Sequence, residues 1–243
     1  MRALRISVIV LVVLGVLFTV ADRLAVSYAE DEVAAKAQSS LGLSETPDVS
    51  VKGFPFLTQI LGKNLSRVDV GLDSYPAQVD GTSITVEQLD IELRDLKLGS
   101  NYSTATARQA DGTGLITYEE LGRAYGELLG SDSTGLGIAF GLADDGRLLI
   151  TLQASVMGQR LNVGDVPGDI TLEGDRVRVN VDKDELPSLP AAALSQVEAL
   201  IDEQAGVERT ISGLPDGLSL DAVTPGEQGL ELSVSGSDLR LVG

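Results

Sequence analysis

Apolar and polar residues alternate along most of the chain beyond residue 48, and this period of two restricts the possible folds more than any other feature. Successive side chains of a β-strand point to opposite faces, so the alternation predicts strands with one buried and one wet face. Such strands are typical of antiparallel sheets. The alternating apolar positions are Val49, Val51, Val68, Val70, Leu72, Ile84, Val86, Leu89, Ile91, Leu93, Leu96, Leu98, Leu136, Ile138, Phe140, Leu148, Ile150, Leu152, Ile170, Leu172, Val177, Val179, Val181, Leu218, Leu220, Leu230, Leu232, Val234, Leu239 and Leu241.

Turn signals and one slip in the pattern organise these strands. The segments ADDGR, at residues 143–147, and EGDR, at residues 173–176, each separate two alternating runs and predict β-hairpins. The apolar pattern slips by one residue between Leu93 and Leu96, which predicts a β-bulge. The strands therefore favour a long, curved antiparallel sheet.

Three segments have helical patterns instead. Residues 22–42 are rich in alanine and lack proline, and we expect a helix there that ends at Gly42. Its apolar stripe would be formed by Leu24, Tyr28, Val33, Ala37 and Leu41. Thr117 and Glu120 match a capping box at the start of a second helix, ending at Gly130. A third helix is predicted from Pro190 to Gly206.

Together these patterns predict an α+β fold, with the curved sheet wrapped around a few helices. No internal repeat and no low-complexity linker interrupts the alternating pattern. We therefore expect residues 22–243 to form a single domain that includes the first helix, preceded by a separate segment at residues 1–21.

That N-terminal segment contains an uncharged apolar run, Ile6–Ala21, preceded by Arg2 and Arg5. Its 16 residues lie between the length of a signal-peptide core and that of a spanning helix. Two interpretations stay open: a signal sequence cleaved after Ala21, or an uncleaved single-pass anchor. No Ala-x-Ala motif precedes Ala21, which favours the anchor. The arginines orient the N-terminus to the cytoplasm, so either interpretation places residues 22–243 outside the cytoplasmic membrane.

Composition argues against several classes of function. The net charge of −18 is unfavourable for contacts with nucleic-acid phosphates, so no nucleic-acid partner is expected. The chain has no histidine and no cysteine, which removes the usual zinc ligands and nucleophile–base pairs. The segment Gly135–Gly141 imitates a dinucleotide loop but alternates like a strand. Asp182, Asp184 and Glu185 lack the spacing of a calcium loop. We predict no catalytic residues, no metal and no cofactor.

Aromatic residues make up only 4% of the chain, yet GFPFLTQILG, at residues 53–62, contains two phenylalanines around one proline. Pro55 holds Phe54 extended and starts a short helix. The apolar residues of that helix cover most of its faces, so it must be buried or must meet something apolar. It either plugs one end of the sheet's core or forms the wall or lid of an apolar cavity.

Three segments resemble a known family. They are VKGFPFLTQILGKNLSRVDVGLD at residues 51–73, GLITYEELGRAYG at 114–126, and ISGLPDGLSLDAVTPGEQGLELSVSGSDLRL at 211–241. Together with the N-terminal segment they make the whole chain similar to the LmeA-like family of actinobacterial envelope proteins. The resemblance implies phospholipid binding and a tubular lipid-binding (TULIP-like) fold, in which a curved sheet wraps a helix and encloses an apolar tunnel.

The expected function is non-catalytic binding or transfer of phospholipid at the outer face of the cytoplasmic membrane, in support of lipoglycan biogenesis. An envelope glycosyltransferase is a further expected partner. The expected lipid-binding residues, chosen for their apolarity, are Phe54, Pro55, Phe56, Leu57, Ile60 and Leu61. Arg67, Arg94 and Lys97 are candidates to meet a headgroup, or else ordinary exposed strand residues. The alternatives are a membrane-anchored scaffold without a lipid cavity and a hydrolase with paired carboxylates.

Overall fold

The structure is a computed structural model. It describes residues 2–79, 81–129, 136–156, 159–174, 176–182, 184, 186, 198, 209–212, 214 and 217–242. The helices are α1 (Arg2–Leu41), α2 (Phe56–Leu61) and α3 (Tyr118–Leu129). The strands are β1 (Asp48–Lys52), β2 (Asn64–Val79), β3 (Thr82–Leu98), β4 (Thr104–Thr117), β5 (Leu136–Leu142), β6 (Leu148–Val156), β7 (Gln159–Glu173), β8 (Arg176–Val181), β9 (Arg209–Ser212), β10 (Leu218–Pro225) and β11 (Gly229–Val242).

The strands are hydrogen-bonded in the order β10-β11-β4-β3-β2-β9-β8-β7-β6-β5, and β1 pairs with β2 beside this path. The pairs β1–β2, β2–β9, β5–β6, β6–β7, β7–β8 and β8–β9 are antiparallel. The predicted antiparallel sheet with few helices is therefore confirmed. Its closure into a tube stays a prediction.

The chain forms two compact units. The first, called the anchor unit below, comprises Met1–Leu72, Asp90–Asp111 and Gly236–Gly243. The second comprises Asp73–Leu89 and Gly112–Ser235. Both units bury aliphatic strand residues, for example Val68 and Leu96 in the anchor unit and Ile84 and Leu148 in the second. The single-domain organisation expected from the sequence stays a prediction.

Both predicted hairpins are confirmed. In the first, Ile138 pairs with Leu152 across β5 and β6, and the turn carries Gly146 at φ 84°. In the second, Ile170 pairs with Val179 across β7 and β8. Glycine adopts positive φ without a Cβ clash, which is why these two-strand connections fall at ADDGR and EGDR.

The slip in the apolar pattern of β3 coincides with a left-handed residue. Leu93 and Leu96 are both buried, and Asp95 between them has φ 51°. Gln88 repeats this at φ 50°, between the buried Val86 and Leu89 of the same strand, at a position where no bulge is predicted above. Each left-handed residue moves the buried face of the strand by one position, as an inserted bulge residue does.

Helix α3 begins at the predicted place, but only half of its capping box forms. Thr117 Oγ1 accepts a hydrogen bond from the Glu120 backbone N–H at 3.3 Å. The Glu120 carboxylate does not return to Thr117. It accepts the Thr85 backbone N–H of β3 at 2.6 Å and the Arg123 guanidinium at 2.7 Å. The helix start is thereby bound to the sheet.

Helix α1 corrects one prediction. The expected stripe is wrong, because Leu24, Tyr28, Val33 and Leu41 are exposed. The buried residues are Asp22, Val26 and Ala34. Positions four apart share a helix face, whereas Leu24 and Tyr28 lie two residues beyond Asp22 and Val26 and therefore on the far side. The helix predicted from Pro190 to Gly206 lies outside the described residues.

The apolar run and the following helix form one continuous element. In the described part of the chain, α1 is the one helix that is long and apolar enough to cross a membrane. None of its most apolar stretch is buried in the protein. These properties suit a membrane anchor, and a signal sequence has them as well.

Candidate functional site

The short helix in GFPFLTQILG is held by the first charged residue after the apolar run. Pro55 caps α2 with an extended backbone, φ −78° and ψ 139°, and has no side chain that caps the helix. Asp22 of α1 supplies the missing acceptor, because its Oδ1 accepts the Leu57 backbone N–H at 2.8 Å. A carboxylate in this position satisfies a free N–H of the first turn and complements the positive end of the helix.

The neighbouring Arg23 completes this contact. Its Nη2 donates to Asp22 Oδ2 at 2.8 Å, and the Asp22 side chain is fully buried. The Arg23 guanidinium also lies 5.4 Å from the centre of the Phe54 ring. Farther along α1, Glu30 Oε1 accepts the Val51 backbone N–H of β1 at 2.7 Å. Two carboxylates of α1 therefore hold the two elements that flank Gly53. Glu30 bonds to β1, which precedes Gly53, and Asp22 bonds to α2, which follows it.

Gly53 is required by the turn between β1 and α2. Its φ is 99°, and a Cβ there would lie 2.7 Å from Gln59 Nε2 and 2.7 Å from Ser66 Oγ. Gln59 Oε1 accepts the Ser66 backbone N–H at 2.9 Å, and Ser66 Oγ donates to the Lys52 carbonyl at 3.1 Å. The conformation of GFPFLTQ is thus fixed by its own Gly53 and Gln59 together with the neighbouring Lys52 and Ser66 and the contacts from Asp22 and Arg23.

The six predicted lipid-binding residues share one segment but not one environment. Phe56 is 4% exposed and belongs to the core. Phe54 is 60% exposed and Leu61 is 80% exposed. Pro55, Leu57 and Ile60 are half-buried. The burial of Phe56 suits the plug interpretation, whereas Phe54 and Leu61 present apolar surface outward. Contact of any of the six with lipid stays a prediction.

The arginines considered for a headgroup lie in a ladder of ion pairs across the exposed face of the anchor unit. Arg67 donates to Asp69 at 2.6 Å and pairs with Glu92 at 3.0 Å. Arg94 also pairs with Glu92, and with Asp111 at 3.1 Å. The hydrogen bond from Arg67 lowers the pKa of Asp69 and raises that of Arg67. These guanidinium groups are matched by carboxylates, which leaves little charge for an anionic headgroup.

The second unit contains an aromatic cluster that the sequence analysis did not detect. The rings of Tyr125 and Phe140 meet edge to face, with their centres 5.2 Å apart. The half-buried Arg209 lies 5.6 Å from the centre of the Tyr125 ring. The three residues are separated by many positions in sequence, and only the packing of α3, β5 and β9 brings them together.

Comparison with known proteins decides the family. A family model described as LmeA-like phospholipid-binding matches residues 20–235. The chain belongs to the LmeA-like phospholipid-binding family. The matched region of this LmeA-like chain begins just before Asp22, includes α2 and all of the second unit, and ends half-way along β11. No curated protein and no solved structure gave a match.

Within the described residues, no group of three or more acidic side chains is placed to hold a metal ion. Glu185, of the considered calcium set, lies outside those residues. The segment around α2 instead has exposed apolar side chains, the buried Asp22 carboxylate and the Arg23 guanidinium over the Phe54 ring.

Proposed function

We propose that this protein binds or transfers phospholipid at the outer face of the cytoplasmic membrane, without catalysis, and thereby supports lipoglycan biogenesis of the cell envelope. The observation that carries the proposal is the match of residues 20–235 to a phospholipid-binding family. An envelope glycosyltransferase that uses the delivered lipid is the partner we expect. The tubular TULIP-like architecture belongs to the same proposal.

The mechanism rests on the hydrophobic effect. Aliphatic residues line the buried faces of the described strands, and an acyl chain that leaves water for such surroundings gains about 0.8 kcal/mol for each buried methylene. Two ordinary acyl chains would hold a lipid without a strong polar contact. Phe54, Pro55, Phe56, Leu57, Ile60 and Leu61 are the proposed contact residues, because all six are apolar and lie together in and just before α2.

We further propose that the N-terminal segment remains as an anchor. Helix α1 runs without a break through Ala21, the proposed cleavage point. Asp22, the residue that cleavage would make the new N-terminus, is helical, buried and bonded to α2. Retention of the helix keeps the lipid-binding part beside its membrane source.

Organic extraction and mass spectrometry test lipid binding. Residues 22–243 would be purified in quantity without detergent, and circular dichroism would verify folding. We expect about one phospholipid per chain, displaced by an added acyl-chain lipid in competition. Extracts free of lipid, together with failure to accept fluorescent phospholipid from vesicles, would contradict the proposal. That result would favour the membrane-anchored scaffold that stabilises partner enzymes through its surface.

A further inference from the structure

The contact between Asp22 and Leu57 relates α2 to the membrane. The apolar run of 16 residues is about 24 Å long at 1.5 Å per residue, shorter than a hydrocarbon core of about 30 Å. A short span draws its flanking residues toward the interface. Asp22 is the first of these on the outer side. Because Asp22 is bonded to the Leu57 N–H at 2.8 Å, α2 is held at the same level as the membrane surface.

The exposed side chains of α2 and of the residues before it suit a position at the membrane surface. Phe54 and Leu61, at the two ends of this segment, expose large apolar side chains. Exposed apolar groups concentrated in one short segment indicate an interaction surface. Here that segment adjoins the residue that ends the membrane span, so a single surface would continue from the span to α2.

The distribution of charged residues around α2 also bears on contact with a membrane. In a chain of net charge −18, the sequence from Val49 to Val68 contains three basic residues and no acidic one. Lys52 and Lys63 flank α2 on its two sides, and Arg23 lies over the Phe54 ring at 5.4 Å. Arg23 is paired with Asp22, Arg67 with Asp69 and Glu92, and Lys52 lies 3.7 Å from Asp69, so their charge is largely balanced. A short apolar segment without acidic residues, with Lys63 beside it, suits the interfacial region of a bilayer better than the acidic remainder of the chain does.

We infer that Phe54 and Leu61, with the half-buried Leu57 and Ile60, form a membrane-contact surface that inserts into the outer leaflet beside α1. The inference rests on the membrane anchor of the proposed function, and not on lipid held inside the protein. Asp22 and Arg23 act as positioning residues, since they orient α2 without themselves being the apolar contact.

The chain has no cysteine, so a single spin label can be placed at any position. We would label Leu61→Cys, Leu24→Cys and Leu41→Cys in the full chain, in nanodiscs of phosphatidylethanolamine and phosphatidylglycerol. Collision rates with oxygen and with a water-soluble nickel complex report membrane depth. Leu24 lies one turn from the span, and Leu41 lies about 30 Å beyond Ala21 along α1. These two exposed leucines provide the interfacial and aqueous references.

We expect the label at residue 61 to meet oxygen more often than nickel, as at residue 24, and residue 41 to show the reverse. A label at 61 that favours nickel, as at 41, would overturn the inference. So would protection from both reagents, which would indicate a protein partner, a second copy or a ligand cavity. Intact mass of the same sample verifies that α1 is retained, so loss of the anchor is recognised separately.

A matched pair of variants tests the positioning residues. Asp22→Ala removes the acceptor for Leu57, and Glu30→Ala removes the equivalent acceptor for Val51 on β1. We expect Asp22→Ala to move the label at 61 toward the aqueous reference, and Glu30→Ala to leave its depth unchanged. Equal effects of the two variants would overturn the role of Asp22. Absence of extractable lipid from residues 22–243, with residue 61 still at membrane depth, would remove the proposed function and leave this surface intact.

Discussion

At the scale of single residues, buried polar groups carry the specific contacts of this fold. Asp22 is fully buried in the described structure, and its two carboxylate oxygens receive the Leu57 N–H and the Arg23 guanidinium. A buried charge is tolerated only when it is paired in this way. The half-buried Glu120 has a similar role in the second unit, where its carboxylate accepts hydrogen bonds from the Arg123 guanidinium and the Thr85 backbone N–H.

Phe56 and Leu61 lie in different environments, so truncating them to alanine should lower the free energy of unfolding by very different amounts. Phe56→Ala removes a buried ring, and we expect it to lower the free energy of unfolding by about 3–5 kcal/mol. Leu61→Ala removes an exposed side chain and should change the free energy by less than about 0.5 kcal/mol. Urea denaturation of residues 22–243 measures both. Similar small effects would mean that Phe56 faces a cavity able to collapse or refill.

Glu120 predicts a pH dependence of stability. The hydrogen bond from Arg123, followed by that from Thr85, lowers the pKa of Glu120 to about 2, although burial raises it. A lowered pKa in the folded state stabilises the fold above the pKa of the unfolded state, about 4.3, and that stability is lost as pH falls toward 2. We expect Glu120→Gln to cost up to about 3 kcal/mol at pH 6, less than about 0.5 kcal/mol at pH 2, and nothing well below pH 2.

Urea denaturation at several pH values measures this difference. Glu119→Gln, at the exposed neighbouring position, is the matched control and should leave the pH profile of the parent unchanged. A Glu120→Gln cost that stays constant from pH 6 to pH 2 would show that shape, and not charge, makes the contact.

At the scale of elements, left-handed residues shape the long strands. Gln88 and Asp95 divide β3 into three stretches, and Asp238 has φ 54° between the buried Val234 and Leu239 of β11. Each of these residues lets a strand keep its apolar side chains inward after the pattern slips by one position. Bulges also bend and twist a strand locally, which is how a long sheet acquires curvature.

Asp95 tests this role of the backbone. Asp95→Val places a β-branched residue at φ 51°, and we expect a loss of about 1–2 kcal/mol in the free energy of unfolding. Asp95→Gly tolerates that φ and should be close to neutral. Both variants lose the exposed pair with Arg108 at 3.8 Å, which is worth little, so their difference isolates the backbone. Equal losses in thermal or urea denaturation would refute the left-handed conformation.

At the scale of the whole molecule, charge and attachment act together. Residues 22–243 contain 16 basic and 36 acidic residues, because Arg2 and Arg5 are the only charged residues of the segment 1–21. Such a charge keeps the folded part soluble and away from anionic surfaces. We therefore expect retention at a membrane to depend on the apolar helix and on the proposed membrane contacts of α2.

Attachment leads to a direct prediction for the native protein. Because α1 continues through Ala21, we expect the chain isolated from its own cells to keep residues 2–21 and to stay in the membrane pellet after an alkaline carbonate wash. Intact-mass measurement identifies the N-terminus. A mature protein that begins at Asp22 and appears in the supernatant would establish the signal-sequence interpretation instead.

Local pattern was sufficient for much of the fold. The alternation predicted the strands, and ADDGR and EGDR predicted their turns, because period and turn chemistry are properties of adjacent residues. The helix stripe on α1 was wrong, since Leu24 and Tyr28 have the right spacing but Asp22 and Val26 face the protein. The spacing of apolar residues predicts that a helix has an apolar face. It does not predict which face of the helix packs against the rest of the protein.

The sequence by itself determined the antiparallel strand pattern, the apolar N-terminal run, the family and the unusual segment GFPFLTQILG. Only the tertiary structure decided that Asp22 caps α2, that Phe56 is inside while Leu61 is outside, and that Arg67 faces carboxylates. The physical reason is the range of the interactions. Periodicity and turns arise from residues next to one another, whereas a cap, a burial and an ion pair depend on partners that folding brings from distant positions in the chain.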